Sequence, residues 1–272
     1  MDAAPLLAFA TGLVFGSFFN VLIHRLPREE SIVKPGSHCP ACGHPIGPLE
    51  NIPLLSFIAL RGKCKWCRTP ISFRYPAVEL LTGIAALALW LWFVVPRLST
   101  ITSPWQTAAI AAEALTLLFM IPITIIDAQH YIIPDTLTMP GIALAAAVSF
   151  LPGGLTPVEC GLGMLAGGGS LVTVGLIGRW LLKKEDAMGG GDVRLMAFVG
   201  GLWGWKIALA AIFAASLMGS IIGLSLVLFR ALGKDHKLPF GPYLAFGTWA
   251  AVLTLDKLSA LYVRWLDRIW AG

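Results

Sequence analysis

The sequence predicts an all-α protein that crosses a membrane several times, and two observations carry that prediction. Of its 272 residues, 57% are hydrophobic and only 13% are charged, whereas an ordinary soluble domain has roughly 25% charged residues. Long apolar runs also recur from one end of the chain to the other, which a single soluble core does not require. A water-soluble fold, a disordered chain and a small disulfide scaffold are therefore excluded.

The apolar runs divide the chain into about eight membrane segments. A transmembrane helix needs about 20 apolar residues, and the first candidate, residues 1–26, has that length and lacks the small-residue cleavage site of a signal peptide. Further candidate spans follow a polar segment: residues 76–96, 104–126, 136–151, 158–182, 205–230 and 240–262. The stretch from Asp192 to Gly204 is too short to span unaided, so we expect a tilted short helix or a re-entrant element there.

The distribution of charge predicts how these segments are oriented. The polar segment, residues 27–75, contains seven Lys or Arg against three Glu, so it holds four of the five net positive charges. Because Lys and Arg are retained on the cytoplasmic side of a membrane, we expect this segment to be cytoplasmic, and its charge needs no nucleic-acid partner. The alternation of spans then places Asp127 and Asp192 at the same cytoplasmic face. Four basic residues fall on the opposite side in this arrangement: Lys206, Lys257, Arg264 and Arg268.

Four of the five cysteines lie in the polar segment as two C-x-x-C pairs separated by 21 residues: Cys39, Cys42, Cys64 and Cys67. Two such pairs complete the closed tetrahedral shell of a structural Zn²⁺ in a zinc-ribbon-like loop domain. The alternatives are two disulfides, which a reducing cytoplasm disfavours, or redox-active pairs, which lack a βαβ context here. Zinc would fold a segment of about 50 residues that is too small for a sufficient core. Cys160, beside an apolar run, is expected to be a packing residue.

Acidic residues near membrane depth indicate function because charges there are costly. The candidates are Glu79, Glu113, Asp127, Asp135, Asp192 and Asp256. Asp127 ends the third span and Asp192 begins the short segment, directly after Gly189, Gly190 and Gly191, which would let another backbone approach closely. Two aspartates held together in a partly dry site share a proton. Such a pair can activate water and polarise an amide carbonyl without a nucleophilic serine or a catalytic metal.

Structural interpretations of the same acidic residues stay open from composition alone. Asp192 and Asp135 each precede a helical stretch and would serve as N-caps, and Glu113 would be a polar contact between helices. Asp256 lies toward the opposite face, and a loop histidine such as His130 is more often solvated. A proton-coupled transporter is a further alternative, but it predicts carboxylates spread across the membrane depth.

Eight stretches, in this order, resemble the type IV prepilin leader peptidases/N-methyltransferases, a family of membrane aspartyl proteases with a GxGD signature. They are GSFFNVLIHRLP (16–27), CPACG (39–43), NIPLLSF (51–57), CKWC (64–67), ISFRYPAVELLTG (71–83), DAQHYIIPD (127–135), MGGGDVRLMAFVG (188–200) and LPFGPYLAFG (238–247). The likeness covers nearly the whole chain, and it favours Asp127 and Asp192 as the protease pair over their role as caps.

The resemblance implies a bifunctional enzyme of the bacterial inner membrane. Members of the family remove the short basic leader of prepilins or pilin-like secretion subunits, cutting after a glycine at the cytoplasmic membrane face. They then methylate the new N-terminal residue, commonly phenylalanine, with S-adenosylmethionine as donor. Residues 27–75 would be the zinc-binding loop domain associated with methyl transfer, and residues 76–272 the peptidase core. Gly189, Gly190 and Gly191 would contact the extended substrate.

The methyl-transfer site is the least readable part of the sequence, since no glycine-rich loop after a strand marks it. Glu79, at the cytoplasmic start of its span, is a candidate to orient the new α-amine, and Arg74 a candidate to bind the carboxylate of the donor. An ordinary ion pair between Arg74 and Glu79 is the alternative. Asn20 is expected to hydrogen-bond a partner helix or the substrate. A peptidase without methyltransferase activity is the nearest rival, but both C-x-x-C pairs favour the bifunctional form.

Overall fold

The computed structural model describes residues 3–152, 154–182, 188–229 and 238–270, with side chains throughout these ranges except at residues 182 and 256–270. Within these ranges the regular elements are helical, apart from two isolated β-bridges. The α-helices are α1 (Ala4–Arg25), α2 (Leu55–Ala59), α3 (Arg74–Leu89), α4 (Val95–Leu98), α5 (Pro104–His130), α6 (Asp135–Val148), α7 (Pro157–Met164), α8 (Ser170–Leu182), α9 (Gly190–Trp203), α10 (Trp205–Leu228) and α11 (Gly241–Trp270). The predicted all-α class is confirmed.

Five helical segments in the described residues are long and apolar enough to cross a membrane. They are Ala4–Arg28, Arg74–Leu98, Pro104–His130, Pro157–Leu181 and Trp205–Leu228. Two of these segments are continued through short π-helical turns, Trp90–Val94 between α3 and α4 and Leu165–Gly169 between α7 and α8. The protein is therefore a multi-pass membrane protein. The predicted number of eight membrane segments is not confirmed, because α6 and α9 have only 14 residues each.

The chain forms two compact units, Met1–Ile101 and Thr102–Gly272. In the first unit, α1 packs along α3, and small residues let the two backbones approach closely. A Cβ on Gly16 would lie 2.6 Å from the Cα of Glu79, so glycine is required there. The span that contains α3 therefore belongs with the cysteine-bearing segment, whereas the division drawn from the sequence began the second domain at residue 76.

Helix ends in the second unit follow from local sequence. Ser103 caps α5 by accepting a hydrogen bond from the Gln106 amide, with proline at the first helical position. Thr156 and Glu159 form a capping box at the start of α7. At the other end of α5, Tyr131 adopts a left-handed conformation with φ 57° and terminates the helix. The chain then turns through Pro134 directly into α6.

Helix α9 lies in the centre of the second unit and contacts α6, α7, α8, α10 and α11. Leu195, Met196 and Val199 are fully buried in the core cluster that these helices form. Glycines permit backbone contact on one side: a Cβ on Gly163 in α7 would clash with the carbonyl oxygen of Gly200 in α9. Because protein surrounds α9, a 14-residue helix is sufficient at this position although it is too short to span a bilayer.

The clash at Gly163 predicts a position-specific loss of stability. Gly163→Ala should lower the thermal unfolding midpoint of the purified protein in detergent, because the methyl group forces α7 away from α9 at a cost of about 1–3 kcal/mol. Gly161→Ala, two residues away on α7, is the matched control, since nothing lies within 4 Å of its Cβ. It should leave the midpoint unchanged or raise it slightly, because alanine is the better helix former. Equal midpoints for both variants would contradict the described packing.

Candidate active site and metal centre

Asp127 lies in the last turn of α5, where its side chain is held by the start of α11. Its Oδ2 accepts a hydrogen bond of 2.8 Å from the backbone N–H of Gly241, the first residue of α11, and the residue is only 5% exposed. The first amides of a helix lack partners within the helix and attract negative charge. A Cβ on Gly241 would lie 2.7 Å from the same oxygen, so the contact requires a glycine.

Asp192 lies in the first turn of α9, outside the five candidate spans. Its carboxylate accepts a hydrogen bond from the backbone N–H of Gly189, the residue that precedes the helix. This contact is the second half of a capping box, made from the third helical position. The N-cap residue itself is Gly189, so Asp192 is not the N-cap that the structural interpretation of the sequence expected. Capping and chemistry do not exclude each other, since one carboxyl group has two oxygens.

The structure brings Asp127 and Asp192 close enough to interact. Burial, together with the neighbouring carboxylate of Asp127, raises the pKa of Asp192 to about 6. A carboxyl group with a pKa near neutrality can both hold and release a proton under physiological conditions, which general acid–base catalysis requires. A carboxyl group of this kind beside the second carboxyl group of Asp127 is the arrangement in which two acids can share a proton.

The three glycines before Asp192 differ in their surroundings. Gly189 and Gly190 are exposed, and the atoms nearest to a Cβ on Gly190 would be those of the Arg194 guanidinium, at 3.7 Å or more. Gly191, in contrast, packs against the segment after α5, since its Cβ would lie 2.8 Å from the Cβ of Ile133. Gly189 and Gly190 thus place no side chain at the exposed surface beside Asp192, although the N–H of Gly189 already donates to Asp192. Gly191 instead serves close packing.

Asp135 is not the N-cap that the structural interpretation expected. It is the first residue of α6, Pro134 occupies the capping position, and no side-chain capping hydrogen bond forms there. Its Oδ1 instead pairs with Nη2 of Arg194 at 2.6 Å, which joins the start of α6 to α9. His130 is exposed, as expected for a solvated loop residue, and the side chain of Asp256 lies outside the described residues.

The four cysteines of the two C-x-x-C pairs meet in the first unit. Their Sγ atoms all lie within 4.8 Å of one another, and those of Cys39 and Cys67 are 3.8 Å apart. Four sulfurs bound to Zn²⁺ at about 2.3 Å in a tetrahedron are about 3.8 Å apart, so the cluster fits this ion. None of the five cysteines forms a disulfide, and Cys160, which is buried in α7, is not a member of the cluster.

Each cysteine pair lies on the same kind of tight turn. In the first turn the Cys39 amide donates to the His44 carbonyl, and the Gly43 amide donates to the Cys39 carbonyl. In the second turn the Cys64 amide donates to the Thr69 carbonyl, and the Arg68 amide donates to the Cys64 carbonyl. Gly43 and Arg68 both have positive φ angles, 70° and 60°. The cysteine segment is therefore two similar knuckles that face a common centre.

Hydrogen bonds in both turns favour thiolates. The backbone amides of Cys42 and Ala41 lower the pKa of the Cys39 thiol. The Thr69 side chain, followed by its backbone amide, lowers the pKa of Cys67 to about 6. At Cys42, in contrast, the backbone hydrogen bond from His44 is outweighed by desolvation and the neighbouring thiols of Cys39 and Cys67, which raise the pKa to about 11. Thiolates are the form of cysteine that binds metal, so the geometry of all four sulfurs and the lowered pKa of two of them fit a structural Zn²⁺.

The first unit also contains a pocket of about 1530 Å³ beside the cysteine segment. Its lining includes Asn20, Arg74 and Glu79 together with Cys39 and Cys64. Within this described part of the chain, no ion pair joins Arg74 to Glu79, so that alternative is wrong. Glu79 Oε2 accepts a hydrogen bond of 2.9 Å from the Leu54 amide, and Nε of Arg74 is buried without a hydrogen-bond partner.

Sequence reasoning missed the residues that hold the predicted acids. Gly241, Leu54 and Ser17 each contact one of these carboxyl groups, and Arg194 was not recognised as the partner of Asp135. The conspicuous glycine in LPFGPY was a signal for the first of these contacts. A backbone amide that reaches across more than a hundred residues leaves no pattern in a single sequence.

The fold and the site together define a multi-pass helical membrane protein with two interacting aspartates at helix ends and a separate four-cysteine cluster. Two family models match the chain: the bacterial peptidase A24 N-terminal domain over residues 10–93, and the type IV leader peptidase family over residues 114–224. No solved structure matches the chain significantly.

Three curated relatives match this chain over nearly their whole length. The protein named prepilin leader peptidase/N-methyltransferase in Aeromonas hydrophila is 36% identical to this chain, and the match covers 94% of this chain and 93% of the relative. The protein of that name in Pseudomonas aeruginosa is 34% identical, covering 93% and 91%, and the one in Neisseria gonorrhoeae is 33% identical, covering 97% and 95%.

The chain therefore belongs to the type IV leader peptidase family, and the resemblance seen in the sequence is confirmed. It is an enzyme, a peptidase that is also an N-methyltransferase. Neither a transporter nor a peptidase without methyltransferase activity is supported by these relatives.

The four-cysteine geometry predicts one zinc ion per chain, held by all four thiolates. Cys39→Ser should abolish most of the zinc that elemental analysis finds in the purified protein, and should make the segment around the knuckles sensitive to limited proteolysis, because the fold of that segment depends on the ion. Cys160→Ser is the matched control and should retain full zinc content. Full zinc content in Cys39→Ser would contradict the assignment.

Proposed function

We propose that this enzyme removes the leader peptide of prepilins or pilin-like secretion subunits and then methylates the new N-terminal residue. The proposal takes the substrate from the names of the relatives. The single observation that carries its chemistry is the interaction of Asp127 with Asp192, at the ends of two helices that belong to one packed unit. Asp127 and Asp192 are the proposed catalytic residues.

In the proposed peptidase reaction the two carboxyl groups share one proton. The ionised group takes a proton from water as the water oxygen attacks the scissile carbonyl, and the protonated group donates to the carbonyl oxygen. The C–N bond then breaks, and a proton is delivered to the leaving nitrogen. The backbone hydrogen bonds from Gly241 and Gly189 support this scheme, because they orient each carboxyl group without a full positive charge that would fix it in the ionised form.

We propose that the substrate lies extended along Gly189 and Gly190, whose backbone is exposed. A scissile peptide has to approach the aspartates without side chains in the way, and two glycines leave that approach open. Gly191, assigned to substrate contact on the sequence alone, is better explained by its packing against Ile133. The substrate contact is therefore confined to the first two glycines.

For methyl transfer we propose the pocket of the first unit. S-adenosylmethionine, when bound, supplies an electrophilic methyl group. The unpartnered Nε of Arg74 fits the carboxylate of such a donor, and Glu79 is placed to orient the α-amine that accepts the methyl group. The Zn²⁺ would act structurally, since Cys39 and Cys64 are part of the same lining. Residues 27–75, together with helices α1 and α3 of the same unit, are accordingly proposed as the part of the chain associated with methyl transfer, and the second unit as the peptidase core in place of the whole of residues 76–272.

The proposed setting is the inner membrane of a bacterium, with the peptidase site at the cytoplasmic face. The excess of Lys and Arg in residues 27–75 supports this orientation. The substrates would be membrane-anchored at the same face, because their own apolar helix follows the leader.

The aspartate pair gives a direct test of the peptidase proposal. Asp127→Asn and Asp192→Asn should each reduce leader cleavage by at least about a thousandfold, since both groups take part in proton transfer. Asp135→Asn is the matched control: it also removes a carboxylate at a helix start, and it should retain cleavage within about tenfold because Asp135 pairs with Arg194 rather than with the dyad. Cleavage would be read by mass spectrometry of a pilin-like substrate. Substantial cleavage by both dyad variants would overturn the assignment.

The same assay separates the two proposed activities. Arg74→Gln should leave the cleavage rate unchanged and should raise the concentration of S-adenosylmethionine needed for half-maximal N-methylation by about tenfold, as expected for the loss of one charged contact of about 1.4 kcal/mol. Lys65→Gln, which removes another cation of the pocket lining that is already paired with Glu50, serves as the control. An unchanged methyl-donor requirement in Arg74→Gln would contradict its role.

A further inference from the structure

Asn20 presents an unsatisfied acceptor in the wall of the first-unit pocket. The residue is 2% exposed, lines the pocket, and its Oδ1 is buried without any hydrogen-bond partner. A buried polar atom without a partner is destabilising and rare in native proteins. A bound ligand that donates a hydrogen bond would satisfy this atom, since no donor in the described part of the chain does.

The orientation of the Asn20 amide is fixed by its other contacts. Nδ2 donates to the carbonyl of Gly16 at 3.2 Å and to the carbonyl of Tyr75 at 3.0 Å. Both partners are carbonyl oxygens, which only accept, so the nitrogen must face them and the oxygen must be the free atom. The side chain is thereby locked between α1 and α3.

Two further polar side chains, Ser17 and Glu79, line the same pocket. Ser17 lies three residues before Asn20 on α1 and hydrogen-bonds the carboxyl group of Glu79, while Glu79 lies one turn after Tyr75 on α3. Residues at such spacing share one face of a helix. Asn20, Ser17 and Glu79 thus form an acceptor-rich patch at the α1 and α3 contact, and all three line the pocket.

Glu79 is held in this patch by a strained backbone. Leu54, whose amide donates to Glu79, has φ 59° and ψ −47°, a conformation that non-glycine residues rarely adopt. The structure maintains this strain where it presents a carboxyl group to the pocket. Strained backbone conformations of this kind are found mainly at active sites and ligand-binding sites, where they serve ligand binding although they lower stability.

We propose that Asn20 Oδ1, together with Glu79, forms a subsite for a primary amine, and that Asn20 positions this amine for methyl transfer. The inference rests on the proposed methyltransferase function of the pocket. An acceptor amide beside a carboxyl group matches the donors of an amine. Two ligands carry such a group: the N-terminus of the cleaved substrate and the amino-acid end of the methyl donor.

Direct binding to the purified full-length protein in detergent tests this subsite. One probe is a synthetic peptide with an N-terminal phenylalanine and a free amine, compared with its N-acetylated form, and the other is S-adenosylhomocysteine. Asn20→Leu should weaken binding of one probe by about tenfold, the effect of losing a hydrogen bond to a charged group. A loss confined to the free-amine peptide identifies the substrate as the ligand, and a loss confined to S-adenosylhomocysteine identifies the donor.

The thermal midpoint is a second readout, and the dissociation constants decide between binding and structural support. Asn20→Leu removes the unsatisfied Oδ1 but also the two hydrogen bonds that Nδ2 donates to Gly16 and Tyr75, so the midpoint should fall by no more than the loss of these two bonds explains. A purely structural asparagine would lower the midpoint in the same way and leave both dissociation constants unchanged. Thr82→Val is the matched control, since Thr82 is fully buried in the same helix contact, has a satisfied hydroxyl and does not line the pocket. It should change neither dissociation constant.

The outcomes separate this inference from the proposed function. Wild-type protein that binds neither probe overturns both. Wild-type binding that Asn20→Leu and the smaller Asn20→Ala leave unchanged overturns the role of Asn20 alone. Equal weakening of the free and the N-acetylated peptide also overturns it, because the contact would not be with the amine. Glu79→Gln, which keeps an acceptor for the Leu54 amide, should weaken the same probe as Asn20→Leu.

Discussion

The backbone contact between α7 and α9 is the constraint on which the second unit depends. Gly163 and Gly200 bring the two helices together with no side chain between them, and the π-helical turn after α7 extends the contact to Met196 through Gly167. Helices in direct backbone contact cannot rotate or slide without clashes. The position of Asp192 at the start of α9 is therefore determined by packing that begins several residues further along the helix, and Arg194 adds an ionic tie to α6.

Backbone amides, rather than cations, hold both aspartates. Gly241 donates to Asp127, and Gly189 donates to Asp192. A nearby arginine would stabilise the ionised form of a carboxyl group and suppress proton exchange, and the one arginine in the first turns of α9 is paired with Asp135 instead. Each acid is thus oriented by a dipole while its proton remains exchangeable. This arrangement is the physical basis on which we propose a hydrolytic role for the pair.

The first unit contains a long polar segment that has almost no hydrophobic core. Between residues 27 and 73, all of which the structure describes, only Cys39 and Ser56 are buried. Burial of apolar surface cannot order such a segment, whereas two similar knuckles around one metal ion can. The ring of His44 lies 4.1 Å from that of Trp66 and joins the knuckles. The pocket beside them presents Arg74, Glu79 and Asn20, which helices α1 and α3 position.

The sequence by itself determined the helical membrane class, the two cysteine pairs and the two aspartates at helix ends, because hydropathy, C-x-x-C spacing and glycine runs are local signals. Tertiary structure decided what these residues touch. Asp127 accepts a hydrogen bond from an amide 114 residues away, and Asp135 pairs with Arg194, two residues after Asp192. Glu79 accepts a hydrogen bond from Leu54 and does not pair with Arg74. Helix α9 is enclosed by protein although it is too short to span a membrane. Such contacts join residues that are remote along the chain, so no local pattern encodes them, and only the packed helices bring them together.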